Sequence, residues 1–281
     1  MKKICAHRRS KSAAGFTLIE LVFVIAVLVM LAGLLLPILA RVRTRAQGAE
    51  CLDNLRQLQV GWRLYSGDND GKIVFVGGEN SLVTELPDAN AQPGGSKSQW
   101  VLGRVDQPWV CTNVELIENG LVYPYIDGVS IYKCPADRKL VNGLPTVRSM
   151  SANCWLNPQP ADNWDSTSQY EGLKTLQVFT KQTDVKSPAQ TWVFMDENPY
   201  SINDGMFVCD PNAAGSWVDI PAAYHNGAGS LCFADGHCET RKWTDQNILH
   251  LHDVPSAPIP KAPNSDDLSW LQARSTFLAS Q

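Results

Sequence analysis

The chain has 281 residues, with 24 Lys and Arg against 28 Asp and Glu and a formal charge of −4. At 44 % hydrophobic and 19 % charged, it can bury a core, which excludes a disordered or collagen-like chain. Its acidic balance excludes a protein built to grip nucleic acid. The charge is unevenly spread: Lys2, Lys3, Arg8, Arg9 and Lys11 face no acid within residues 1–15, leaving the other 266 residues at −9. Such asymmetry calls for a membrane or targeting explanation first.

An apolar segment follows the basic stretch, and Leu21 to Ala40 carries no charge. Twenty helical residues rise about 30 Å, the hydrocarbon thickness of a bilayer. The core is too long for a plain cleavable signal, and Ile38-Leu39-Ala40 lacks a small-x-small site. The positive-inside rule places the basic end in the cytoplasm, although Arg41, Arg43 and Arg45 oppose it from the far side. Glu20 does not fit a simple anchor, because an intramembrane carboxylate generally has a partner and a function. A cut after Gly15 would supply one by making Phe16 an α-amino terminus. Pro37 is expected to kink the helix.

Beyond Pro37 an amphipathic stripe continues through Val42, Ala46, Ala49, Leu52, Leu55, Leu58, Trp62 and Tyr65. Gly48 and Gly61 weaken it by about 1 kcal/mol each, so packing must hold it. Ser66 to Gly71 supplies the stop. Asp68-Asn69-Asp70-Gly71 also has the start of a calcium loop, but no downstream Glu completes it.

Gly15-Phe16-Thr17-Leu18-Ile19-Glu20, with its basic leader and long apolar helix, resembles the type IV pilin and type II secretion pseudopilin signature. The segment from Cys51 to Leu58, followed by Tyr65, is similar to a pseudopilin-like branch common in planctomycete- and verrucomicrobium-type bacteria. The resemblance implies cleavage after Gly15 by a prepilin peptidase, N-methylation of Phe16, and Glu20 as the assembly carboxylate pairing with a neighbour's terminal amine. Its implied partners are that peptidase, other pseudopilin subunits and an inner-membrane assembly platform. The implied location is a single-pass inner-membrane protein with a periplasmic domain that enters a pilus-like fibre. The expected fold is α+β: one long helix, half transmembrane and half amphipathic, packed on an antiparallel sheet with long loops. The expected divisions are a leader at 1–15, the membrane segment at 16–40, its extension at 41–66, a globular domain at 67–254 and a loosely attached tail at 255–281.

Within the globular part, strands are expected at Ile73–Val76, Thr191–Met195, Met206–Val208 and Ser230–Ala234. Residues 77–99 and 157–172 are turn-rich, and 267–279 can form a short helix. The nine Trp fill a core or present a binding surface. Asp235-Gly236 between two alternating runs predicts a two-residue hairpin turn, with Phe233 facing Cys238 and Cys232 facing Glu239. Cys232 and Cys238 would then point to opposite faces. His225 to Asp235-Gly236 resembles the His-x9-Asp-Gly motif of the same pseudopilin-like branch.

His225, Asp235 and His237, joined by Asp196 or Glu197, make a possible nitrogen and oxygen ligand set for a divalent metal, calcium or zinc. They can equally serve acid–base chemistry, or His225 can simply pin the hairpin backbone. No Ser-His-Asp arrangement, phosphate loop or Cys-x2-Cys pair is legible, so a non-enzymatic subunit is expected. The rival expectation is an anchored periplasmic module that binds carbohydrate or metal. Loss of Cys5 with the leader leaves seven of eight cysteines, so at least one thiol stays free. Cys51 is the expected free thiol and Cys111–Cys134 the expected bridge, unless all are small core residues.

Overall fold

Thr17 opens the first helix with a reciprocal cap. Its Oγ1 accepts from the Glu20 N–H at 3.3 Å, and the Glu20 carboxylate accepts from Thr17 N at 2.8 Å and Thr17 Oγ1 at 2.7 Å. This capping box satisfies two helix-end donors at once. From it, α1 runs over Leu18–Asp68 and contains Pro37. The computed structural model describes residues 17–77, 99–158, 176–211, 215–251, 259 and 261–277. Gly15 and Phe16 lie outside the described residues, as do most of the expected loops at 77–99 and 157–172.

The chain divides into two units, residues 1–43 and 44–281. In the first, every described side chain from Thr17 to Leu36 is exposed. Among the described residues, α1 is the one helix long and apolar enough to cross a membrane.

In the second unit, Leu55, Leu58 and Trp62 of α1 are buried at three- and four-residue steps, as the stripe predicts; Cys51, outside that stripe, is buried where the expected Leu52 is half-buried. Ala46 and Ala49, expected in the same stripe, are exposed. A carbon at Gly61 would meet Val122 and Ile126 at 2.8 Å, so this helical glycine permits close packing that offsets its propensity cost. After α1 come α2 (Glu115–Glu118) and a small hairpin of β1 (Leu140–Val141) and β2 (Leu144–Pro145). The main sheet contains β3 (Met150–Asn153), β4 (Trp192–Asp196), β5 (Met206–Phe207), β6 (Ala228–Phe233) and β7 (Cys238–Lys242). Its order is β5-β3-β4-β6-β7. All neighbours are antiparallel except β3 and β5. Two short helices, α3 (Gln246–His250) and α4 (Asp266–Gln272), complete the fold. The α+β expectation, with one long helix and a largely antiparallel sheet, agrees with this layout.

Strand alternation sends Cys232 into the core that contains the α1 side chains, and Leu231 and Phe233 into a second core with Trp243, Leu268 and Leu271. The β4 strand breaks the alternation: its register with β6 shifts between Trp192 and Phe194. That bulge lets Val193 and Phe194 both face the α1 core. Trp62, Trp100, Trp155, Trp192 and Trp243 are fully buried, whereas Trp109 is 67 % exposed. Among the described residues, the tryptophans therefore chiefly fill the cores.

Several expectations are corrected. Ile73 and Val74 are buried, but residues 73–76 form no strand; they are held by single hydrogen bonds, Ile73 N to Thr180 O and Trp100 N to Phe75 O, next to the isolated bridge Lys72↔Lys181. The C-terminal stretch is not loosely attached through 261–277. Leu268 and Leu271 are core residues, and Arg274 and Ser275 carbonyls accept from Trp192 N and Asn153 Nδ2. A short amphipathic helix capped by Ser265 is too short to stand alone and is held by docking its apolar face.

The hairpin register is also different. Cys232 pairs with Cys238 and Leu231 with Glu239, while Phe233 N donates to His237 O at 2.9 Å. The loop is thus Ala234-Asp235-Gly236, with Gly236 at φ +102°, the three-residue hairpin whose last position favours glycine. One extra loop residue moves every pair by one and reverses the faces. Cys232 and Cys238 become cross-strand partners and form a disulfide. The expected Cys111–Cys134 bridge is absent: both are free and buried, as is Cys51.

Candidate metal centre between the helix and the sheet

Residues far apart in sequence converge where the buried face of α1 meets the end of β4. Cys51 comes from α1, Cys134 from the loop before β1, Asp196 from the last position of β4, and His225 from the turn before β6. Each offers one ligand-type atom, and these four atoms lie within 4.8 Å of one another. Cys51 Sγ donates to Asp196 Oδ2 at 2.8 Å, and Cys134 Sγ lies 3.4 Å from His225 Nε2. All four residues are buried, with His225 the most accessible at 8 %.

Local structure explains each position. On α1, Gln47 and Asn54 flank Cys51 on its own face. Their side-chain amides donate to Pro135 O at 2.9 Å and Lys133 O at 3.1 Å, which clamps the Cys134 loop to the helix. The same loop is tied to the His225 turn: Asp137 pairs with Lys133 at 3.3 Å and accepts from Tyr224 Oη at 3.0 Å. His225 N donates to Ala228 O, with Asn226 and Gly227 at positive φ turning the chain into β6. The imidazole lies against Gly48, where a carbon would be 3.3 Å from His225 Cγ.

Burial disfavours charge on all four groups. Burial pushes the Asp196 carboxyl up to about 7 and the Cys134 thiol up to about 11. Cys51 is raised too, first by its hydrogen bond with Cys134 and then by burial, while burial lowers His225. Outer groups orient the donors. Ser149 Oγ donates to Asp196 Oδ1 at 2.8 Å and accepts from Cys134 N at 2.8 Å, and Ala136 N donates to Cys134 Sγ at 3.4 Å. His225 Nδ1 has no protein partner. Beside it opens a cleft of about 260 Å³ lined by Arg45, Gly48, Leu52, Asn226 and Thr240.

The ligand set expected from sequence is therefore divided. His225 and Asp196 are together. Glu197 is not with them: adjacent strand residues point to opposite faces, and its carboxylate accepts from Ser151 Oγ and Ser201 Oγ. Asp235 and His237 sit at the other end of β6, where His237 Nδ1 is 2.6 Å from Asp235 Oδ1 and the imidazole stacks on Phe233 at 4.3 Å. Cys51 and Cys134, expected as a free thiol and a disulfide partner, are the two members that the sequence does not bring to the site. Each stands alone in sequence, so no Cys-x2-Cys spacing marked them.

His225 and Asp235-Gly236 nevertheless act on the same helix. His225 meets α1 at Gly48 and Cys51, Phe233 O accepts from Gln59 Nε2 at 2.8 Å, and Asp235 O accepts from Arg63 Nη1 at 3.0 Å. The motif thus spans β6 and contacts α1 at both ends. The Asp68–Gly71 stretch ends α1, with Gly71 N donating to Ser66 O and Asn69 Nδ2 to Tyr65 O; these bonds account for its turn residues. No protein-family model, no curated protein and no solved structure matches the chain.

Proposed function

We propose that this chain is a pseudopilin-like structural subunit, non-enzymatic, that is inserted in the inner membrane by α1 and assembled into a periplasmic pilus-like fibre of a type II secretion-type system. The observation that carries this reading is α1 itself: one 51-residue helix whose first part is apolar and exposed and whose last part forms the core face of a globular unit. The division of labour matches what a polymerising subunit requires, since apolar helices can pack on one another in the membrane while the head stays outside. The size of the head favours a minor or specialised component.

Prepilin peptidase would cut after Gly15, and the new Phe16 amine would pair with Glu20 of a neighbour. Such a pair serves register more than stability. Mass spectrometry of the N-terminal peptide from native membranes tests the reading. An N-methylated Phe16 supports it, and an intact Met1 reduces the protein to a simple anchor.

A second reading, an anchored periplasmic binding module exported by the same route, is favoured on its metal side by the Cys51, Cys134, Asp196 and His225 cluster. Its carbohydrate side gains no support from the five tryptophans that are fully buried among the described residues.

A further inference from the structure

We propose that Cys51, Cys134, Asp196 and His225 bind one zinc ion in a closed four-ligand site that fastens the α1 helix to the sheet. The inference does not depend on whether the chain polymerises.

The donor set is the first argument. Two thiolates, an imidazole and a carboxylate are borderline-soft and suit zinc, whereas calcium takes six to eight oxygens. Geometry is the second. With metal–ligand distances of about 2.0–2.3 Å, the edges of a tetrahedron are roughly 3.3–3.8 Å. The 3.4 Å between Cys134 and His225 falls within that range, the 2.8 Å between Cys51 and Asp196 is shorter than it, and no pair exceeds 4.8 Å. Small side-chain rotations therefore suffice.

The surroundings are the third argument. A zinc thiolate is stabilised by backbone N–H donors, and a ligating carboxylate by a hydrogen bond to its other oxygen. Ala136 N and Ser149 Oγ occupy these two roles. A ligating histidine donates its second N–H; His225 Nδ1 is buried with no protein partner, and the residue lines the cleft beside Gly48. Two thiols and a carboxyl gathered in an apolar core are costly without a cation. Zinc displaces both thiol protons, and any proton on the Asp196 carboxyl, to solvent, and that proton release makes binding weaker at lower pH.

All four positions come from the protein and all are buried, which is the pattern of a structural and not a catalytic zinc site. The ion would join α1, the Cys134 loop, β4 and the turn before β6. It would also keep Cys51 and Cys134 from oxidising in a disulfide-forming compartment. The His225 position of the His-x9-Asp-Gly stretch thereby gains a chemical role, and Asp235-Gly236 keeps a turn role.

The test uses the full chain, purified from membranes in detergent with a tag that does not bind metal and without chelator. Elemental analysis is expected to find one zinc per chain, lost in His225→Ala and in Cys134→Ser and retained in Asp235→Asn. Cobalt(II) exchanged into the wild type should give tetrahedral visible bands with thiolate charge transfer. That spectrum carries the test if either variant fails to fold. A Cys51–Cys134 disulfide in non-reducing peptide maps would overturn the proposal. So would iron or copper in place of zinc, or a folded wild type that takes up neither zinc nor cobalt.

Discussion

Gly48 lies directly beneath the His225 imidazole, so close that a carbon added to it would sit 3.3 Å from Cγ and 3.4 Å from Nδ1. A glycine that looks like a flaw in a helix is where the helix lets a histidine approach Cys51. Gly48→Leu should gain about 1 kcal/mol of helix propensity but lose more through overpacking. We expect a net loss of about 1–2 kcal/mol in urea unfolding, while Gly48→Ala stays within about 1 kcal/mol of wild type because the contact is only slightly tight.

The Cys232–Cys238 disulfide closes a short loop across neighbouring strands. Loop-closure entropy for so few residues is worth about 2 kcal/mol. Cys232→Ser with Cys238→Ser should lower stability by that amount without unfolding the sheet. Non-reducing peptide mapping should recover the linked 232 and 238 peptides and no 111–134 pair.

Asp267 accepts from Thr244 N at 2.6 Å, Asp245 N at 2.9 Å, Thr244 Oγ1 at 3.0 Å and Arg241 at 3.1 Å. Burial pushes its carboxyl up, but these donors together hold it below the ordinary value of 3.8. A lowered folded value means the unfolded chain takes up the proton first as pH falls. The carboxylate therefore contributes stability above about pH 4, and that contribution is lost below it. Asp267→Asn should cost about 2 kcal/mol at neutral pH. It should also flatten the acid limb of a stability–pH curve measured between about pH 5 and pH 3; an unchanged limb would remove Asp267 as its cause.

Glu20 has two separable roles, because the bonds from Thr17 make it the helix cap as well as the proposed assembly charge. Glu20→Gln keeps an acceptor for the capping box and removes the charge, whereas Glu20→Ala removes both. If the charge pair sets assembly, both variants should insert in the membrane yet fail to cross-link into fibres. Assembly of Glu20→Gln at wild-type levels would leave only the capping role.

The long helix was legible in the sequence because helical periodicity and an uncharged apolar run are local properties. Leu55, Leu58 and Trp62 are buried as their three- and four-residue spacing requires. The hairpin around Asp235-Gly236 was legible as a hairpin and not as a register. A glycine after an aspartate serves a two-residue turn or the end of a three-residue one, and the choice depends on cross-strand packing, here Phe233 against His237. The C-terminal segment looked detachable from its Pro and Ala content, but its short helix gains stability only by burial.

The sequence by itself therefore determined the helix, the apolar membrane-length segment and the existence of β4, β5, β6 and β7, because short-range pattern is enough for those. Only the tertiary structure decided which cysteines meet. Cys51, Cys134, Asp196 and His225 lie on four separate segments, and a contact between distant segments depends on how the helix packs on the sheet. The clamps from Gln47 and Asn54 to the Cys134 loop, the Tyr224–Asp137 bond and the absent side chain at Gly48 set that packing. None of these has a spacing that a linear pattern can display.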